Sequence, residues 1–215
     1  TLKQVSVYSL YHLIYNMVGR ILYTIKEALE FKVAYAFHTD RAVFLQTFKA
    51  YETFYLTFSF ALYTVMNYFA MPFMALYAKG VDDADYLLPY LPLFFAVANL
   101  LSIGKFPLLS MVYITNRFKQ TQKSAIIESV INVVVSVILV QFLGIYGALL
   151  GTVASALYRA LDLIYYANKK IIERSVFSSL KCWIVNFVLF AVIAYLNRYL
   201  IFDLSSFGKV VLYLQ

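Results

Sequence analysis

Cysteine occurs once, at Cys182, which excludes an internal disulfide framework and any cysteine-built metal cluster. His12 and His38, the two histidines, have no partner at ligand spacing, so neither a metal site nor a cofactor is expected. Charge is scarce as well: 13% of the residues are charged against 63% hydrophobic, with a mean hydropathy of +0.75, far from the balance of a soluble domain. Glycine is thinly spread, and Gly144, Gly147 and Gly151 lie in an apolar helical run with no Lys-Ser or Lys-Thr after them, so the phosphate-cradling loop that ATP hydrolysis needs is absent.

What fills the chain is long apolar runs. Thr53 to Ala78 is 26 residues without a charge, bounded by Glu52 and Lys79. About 20 helical residues cross a hydrocarbon core of about 30 Å, so this run is long enough to span a bilayer. Similar segments run from Val5 to Ile25, Tyr86 to Asn116, Ser124 to Leu143, Ile145 to Asn168 and Cys182 to Leu200, giving six candidate crossings in an all-α polytopic transmembrane bundle. The chain starts at Thr1 rather than Met, and Phe207 to Gln215 reads as a further apolar segment cut short. It is therefore read as a fragment, with 1–203 as a transmembrane lobe and 204–215 as the start of another helix.

Lysine and arginine collect in cytoplasmic loops, so their distribution predicts orientation. The first connection, Lys26 to Glu52, holds Lys26, Lys32, Arg41 and Lys49; the third holds Arg117, Lys119 and Lys123; the fifth holds Lys169, Lys170, Arg174 and Lys181. The second, Lys79 to Asp85, sets one lysine against Asp82, Asp83 and Asp85, and the fourth, around Gly144, has no basic residue. The first, third and fifth connections are thus expected in the cytoplasm, and topology accounts for the net charge of +7 without a nucleic-acid partner. The remaining loops are too short to carry the acids and bases of a hydrolase or polymerase at the outer face, so the chain is not expected to be an enzyme.

Inside the crossings, ions are costly and need a cavity, a partner or an interface. Arg198 is close enough to an outer end to reach water. The others are Arg20, Lys105, Glu128, Arg159 and Asp162, three cations against two acids. Lys105 and Arg20 lie well inside the span, and Pro107 just beyond Lys105 predicts a kink. Either cation lines a cavity or extends along the helix to the inner interface. Arg159 and Asp162 stand three residues apart and can pair. Glu128, Asn132 and Ser136 form a polar stripe at four-residue steps, which either binds a neighbouring helix or lines a path. Gly147, Gly151 and Ser155, at the same spacing, form a small-residue face for close helix packing.

Taken together, RFKQTQKSAIIESVINVVVSVILVQFLGIYGALLGTVASALYRALDLIYY (Arg117 to Tyr166), VYSLYHLIYN (Val7 to Asn16), KAYETFYL (Lys49 to Leu56) and PFMALYAKGVDDADYLLPYLPL (Pro72 to Leu93) resemble the C-terminal half of bacterial polysaccharide flippases, the O-antigen and capsule repeat-unit transporters of the multidrug and oligosaccharidyl-lipid exporter superfamily. The likeness runs to about Arg174. It implies a two-lobed transporter, of which this chain would be the second lobe without its first helix, in a bacterial plasma membrane. The implied activity is alternating-access transfer of an undecaprenyl-diphosphate-linked oligosaccharide to the outer leaflet, driven by an ion gradient or membrane potential. A departure is KEALEFKVAYAF (Lys26 to Phe37), which lacks the Pro- or Gly-containing break that relatives tend to have there.

On this reading Lys105 and Arg20, with Arg159 third, bind the anionic headgroup, and Lys105→Ala abolishes transport. Glu128, Asp162 and Asn132 serve ion coupling or internal pairing. The expected partners are the lipid-linked oligosaccharide, membrane lipids, the missing N-terminal lobe, and a polysaccharide polymerase and glycosyltransferases. A multidrug extruder of the same superfamily and a non-transporting scaffold for glycan assembly are the rival readings.

Overall fold

The computed structural model describes residues 2–79 and 85–197. Asp82, Asp83, Arg198, the end of the sixth predicted crossing and the segment 204–215 lie outside the described residues. Within them the chain is all helix: α1 (Leu2–Thr39), α2 (Arg41–Tyr77), α3 (Leu91–Gly104), α4 (Phe106–Ile114), α5 (Phe118–Leu143), α6 (Ile145–Ala167), prolonged by a π turn (Asn168–Ile172), and α7 (Val176–Leu196). Five spans, with α3 and α4 counted as one and the π turn counted with α6, are long and apolar enough to cross a membrane. The chain is a multi-pass membrane protein.

Of the six predicted crossings, α1 is 38 residues long but falls short of the other five in apolar character. Ser9, His12, Asn16, Arg20 and Thr24 dilute its apolar character. The first connection is corrected too. KEALEFKVAYAF consists largely of good helix formers and has no Pro or Gly, so α1 continues to Thr39 and the link to α2 is Asp40 alone. Asp40 caps α2 by accepting from the Val43 N–H at 2.8 Å. Lys26, Lys32 and Lys49 thus belong to helices rather than to a loop. The fifth connection shrinks likewise, to 173–175, between the π turn and the Ser175 cap of α7.

α1 and α2 run antiparallel, pinned by tyrosines whose hydroxyls reach backbone carbonyls of their neighbours. Tyr55 donates to Leu22 O at 3.3 Å, Tyr63 to Tyr15 O at 3.4 Å, and Tyr15 to Pro92 O of α3 at 2.9 Å. A phenol suits this task in an apolar interior, because its ring packs while its hydroxyl is satisfied. α5 and α6 meet more closely. A Cβ on Gly147 would lie 2.3 Å from the Leu139 carbonyl carbon, and one on Gly151 would lie 2.0 Å from Ser136 Oγ. No side chain fits at either place, so the small-residue face of α6 is a packing face. Between the two helices Gly144 takes φ +56°, a left-handed turn that glycine enters without strain.

α3 gives way to α4 at Lys105. Pro107 has no N–H to offer the Ile103 carbonyl four residues back, and the Lys105 N–H turns to that carbonyl instead. The predicted kink is a break in the helix, and Gly104 beside it leaves room for Trp183 of α7, which would stand 2.7 Å from an added Cβ.

The connections segregate to the two ends. Arg41 donates to Ile172 O, and Arg117 to Lys170 O at 2.6 Å, so the first and third connections meet the fifth. At the other end Tyr11 donates to Tyr86 O at 3.0 Å, and Phe94 packs on Tyr146 with ring centroids 5.6 Å apart, joining the second connection to the fourth.

Candidate functional site: the charges inside the bundle

The helix break brings Lys105 to Glu128 of α5, and the two form a salt bridge. The other oxygen of Glu128 faces Arg159 Nε of α6 at 3.5 Å, and Arg159 Nη1 bonds Asp162 Oδ2 at 2.9 Å. Arg159, 5% exposed, also donates to Thr121 O at 3.3 Å. Two cations and two carboxylates therefore close a neutral tetrad across α3/α4, α5 and α6. Neutrality is what an ion cluster in a low-dielectric interior requires, since a lone charge there keeps its full desolvation penalty. Four of the five intramembrane ions expected from sequence thus meet in one place, and each has a partner. Glu128 and Asp162 sit in internal pairs.

The stripe on α5 turns toward α6 rather than toward a path. Asn132 Nδ2 donates to Ser155 Oγ at 3.1 Å and lies 3.4 Å from Thr152 Oγ1, and Ser136 Oγ donates to Ala148 O at 3.3 Å. Asn132 is one link in a polar seam along the closely packed α5–α6 pair.

Arg20 is placed differently. Its side chain is exposed on α1, and its guanidinium makes no ion pair or hydrogen bond with any described residue. The surplus of one positive charge over the two acids, read from sequence, is therefore Arg20 alone. It does not stand in isolation. Ser9, His12, Asn16, Arg20, Thr24 and Glu27 recur at three- and four-residue steps, so they share the face of α1 opposite the buried Val7, Tyr11, Tyr15 and Leu22. Along it His12 Nε2 and Asn16 Nδ2 are 2.8 Å apart, and Thr24 Oγ1 donates to Arg20 O at 3.1 Å. Arg20 stands out in the sequence as a charge in an apolar run, whereas the stripe shows only in the spacing of its neutral groups. The periodicity was the available signal.

Two further polar clusters escaped sequence reading. Glu52, 2% exposed, forms a salt bridge with Arg174 and accepts from Ser179 Oγ at 2.6 Å. Asn168 joins them, accepting from Arg174 Nε at 2.6 Å and lying 2.9 Å from Ser179, while the Arg174 guanidinium sits 4.8 Å from the centre of the Phe48 ring. Lys26 pairs with Glu30, which also accepts from Ser110 Oγ of α4 at 2.8 Å. Neither cluster has an unpaired charge. Both weld helices together.

Cavities lie elsewhere. One of about 690 Å³ opens between α2, the start of α3 and α7, lined by Tyr68, Met71, Pro92 and Phe190 among others; another of about 420 Å³ follows the α2–α7 seam. Neither is lined by a residue of the tetrad or by Arg20. The described residues contain no His, Cys, Asp and Glu grouping that could hold a metal ion. In comparisons with known proteins, no family model, no curated protein and no solved structure matches the chain.

Proposed function

We propose that this chain is part of a membrane transporter that moves an anionic, lipid-linked oligosaccharide between leaflets, with the polar face of α1 as one wall of its path. The observation that carries this is the unpartnered, exposed Arg20 in the middle of the largely exposed Ser9–Glu27 stripe. Six polar groups facing hydrocarbon would be costly at every turn, so the stripe belongs against water, a substrate or a companion bundle. A guanidinium without a carboxylate is suited to a phosphate, which it can bind through two parallel hydrogen bonds. The hydroxyl, amide and imidazole groups above and below Arg20 fit the donors and acceptors of a sugar chain.

The resemblance to the polysaccharide flippases supplies the substrate class: an undecaprenyl-diphosphate-linked repeat unit, flipped by alternating access from the inner to the outer leaflet of a bacterial plasma membrane. On this reading the first, third and fifth connections are cytoplasmic, in accord with their lysines and arginines. The N-terminal lobe of the same protein faces α1. Lys105 and Arg159 reach the headgroup only by exchanging Glu128 for it, and Arg20 is its first contact.

The test is translocation of a lipid-linked oligosaccharide by the full-length protein in proteoliposomes, scored by access of a glycan-modifying enzyme added outside. Transport that Arg20→Gln removes and Arg20→Lys partly restores is the expected result. No transport of any glycan in a panel by a folded parent protein would overturn it.

A further inference from the structure

At the end of the bundle where the first, third and fifth connections meet, arginine and lysine divide the work. The arginines are engaged by the protein's own carbonyls and side chains. The π turn ends α6 with carbonyls that no helical N–H meets, and Arg41 and Arg117 take those of Ile172 and Lys170, while Arg174 holds Asn168, Glu52 and Ser179. Most of the nearby carboxylates are engaged too, Glu27 on the exposed face of α1 being in no ion pair with a described residue. Asp40 caps α2, Glu173 faces Arg41 at 3.5 Å, Glu30 is held by Lys26 and Ser110, and Glu52 by Arg174. In contrast, Lys32, Lys49, Lys119, Lys123, Lys169 and Lys170 are all exposed, and none forms an ion pair with a described residue.

We propose that this lysine-covered end is a docking surface for the headgroups of acidic phospholipids in the leaflet it faces. The argument is charge complementarity. A belt of unpaired ammonium groups, with most neighbouring carboxylates already engaged, gathers anions, and at the ends of membrane-spanning helices the dense anionic surface is the leaflet itself. Lysine suits a fluid, exchanging partner, because its flexible point charge needs no fixed geometry, whereas the planar arginines serve the fixed carbonyls. The proposal does not depend on what the protein transports.

The test places the full-length protein in phosphatidylcholine nanodiscs containing a trace of spin-labelled phosphatidylglycerol or spin-labelled phosphatidylcholine, and compares the motionally restricted fraction of each label by electron paramagnetic resonance. Restriction should favour phosphatidylglycerol by about fivefold or more, the factor for a single lysine near a charged surface. It should decline with added salt. The combined variant with Lys32, Lys49, Lys119, Lys123, Lys169 and Lys170 all changed to Gln should lose that preference with its melting temperature unchanged, because all six side chains are exposed. Equal restriction of the two lipids by the native protein, or a preference that survives in the variant, would overturn the proposal; the former would turn attention to an acidic protein as the partner.

Discussion

The tetrad of Lys105, Glu128, Arg159 and Asp162 and the stripe around Arg20 both place charged groups along long helices, yet their environments are opposite. In the tetrad every charge has a counter-charge within the bundle. On α1 the cation has none and faces outward. An intramembrane charge thus says little by its presence. Its partner decides whether it holds the fold together or waits for something to bind. The first region should respond to mutation in stability, and the second in transport.

Removing one member of the tetrad is the most direct way to break that contrast. Glu128→Ala leaves Lys105 and Arg159 facing each other without their shared carboxylate; truncating one partner of a fully buried pair costs about 3–5 kcal/mol, an upper bound for this partly buried one. A thermal-unfolding series of the purified protein should show a large drop for this variant. A melting temperature equal to the parent's would mean that water already screens the cluster.

Lys105→Ala, expected from sequence to abolish transport through loss of a headgroup contact, becomes a sharper experiment beside Glu128. If Lys105 acts by balancing the tetrad, Lys105→Met with Glu128→Gln removes both charges together and restores stability and part of the transport, as replacing buried ion pairs with neutral groups commonly does. If Lys105 touches the substrate, the double variant folds but stays inactive. The two outcomes assign Lys105 to one region or the other.

Arg20→Gln should behave in the reverse sense. Melting should change by less than about 0.5 kcal/mol, because the guanidinium has no partner among the described residues to lose. Loss of a charged hydrogen bond to the substrate, about 1.5–3 kcal/mol, should reduce transport by about 10- to 150-fold. Equal losses in stability and transport would show that Arg20 is braced against another part of the full-length protein.

Much of this contrast was legible beforehand, and the rest was not, for reasons of geometry. The residues of the tetrad stand out as charges in apolar runs, and the i, i+3 spacing of Arg159 and Asp162 already allows their bond. Lys105 and Glu128, 23 positions apart, meet only because a helix break and a turn bring α5 back along α4, and which way α5 is rotated is set by Gly147 and Gly151 on its neighbour. Glu52 and Arg174, 122 positions apart, read as one edge of a span and one loop cation. The helical continuation through KEALEFKVAYAF was available from propensity, but counting basic residues by loop made a connection of it.

The seam at Asn132 tests how far the pairing rule extends to neutral groups. Asn132 Nδ2 reaches Ser155 and Thr152 across the α5–α6 contact, in the same turn of α6 where Gly151 admits the α5 backbone. Interhelical hydrogen bonds of this kind in membranes are worth about 0.6 kcal/mol on average, and at most about 1.7. Asn132→Leu should therefore lower stability modestly, with the glycine contacts still holding the pair, and should leave transport near the parent's. Gly151→Ala at the same level should cost more, since a methyl group has to displace Ser136 and the backbone behind it. If the order were reversed, α5 and α6 would be held by their polar stripe rather than by the close approach of their backbones. Ser136 and Asn132 would then be free to part and open a path between those two helices, and the transport face would move from α1 to α5.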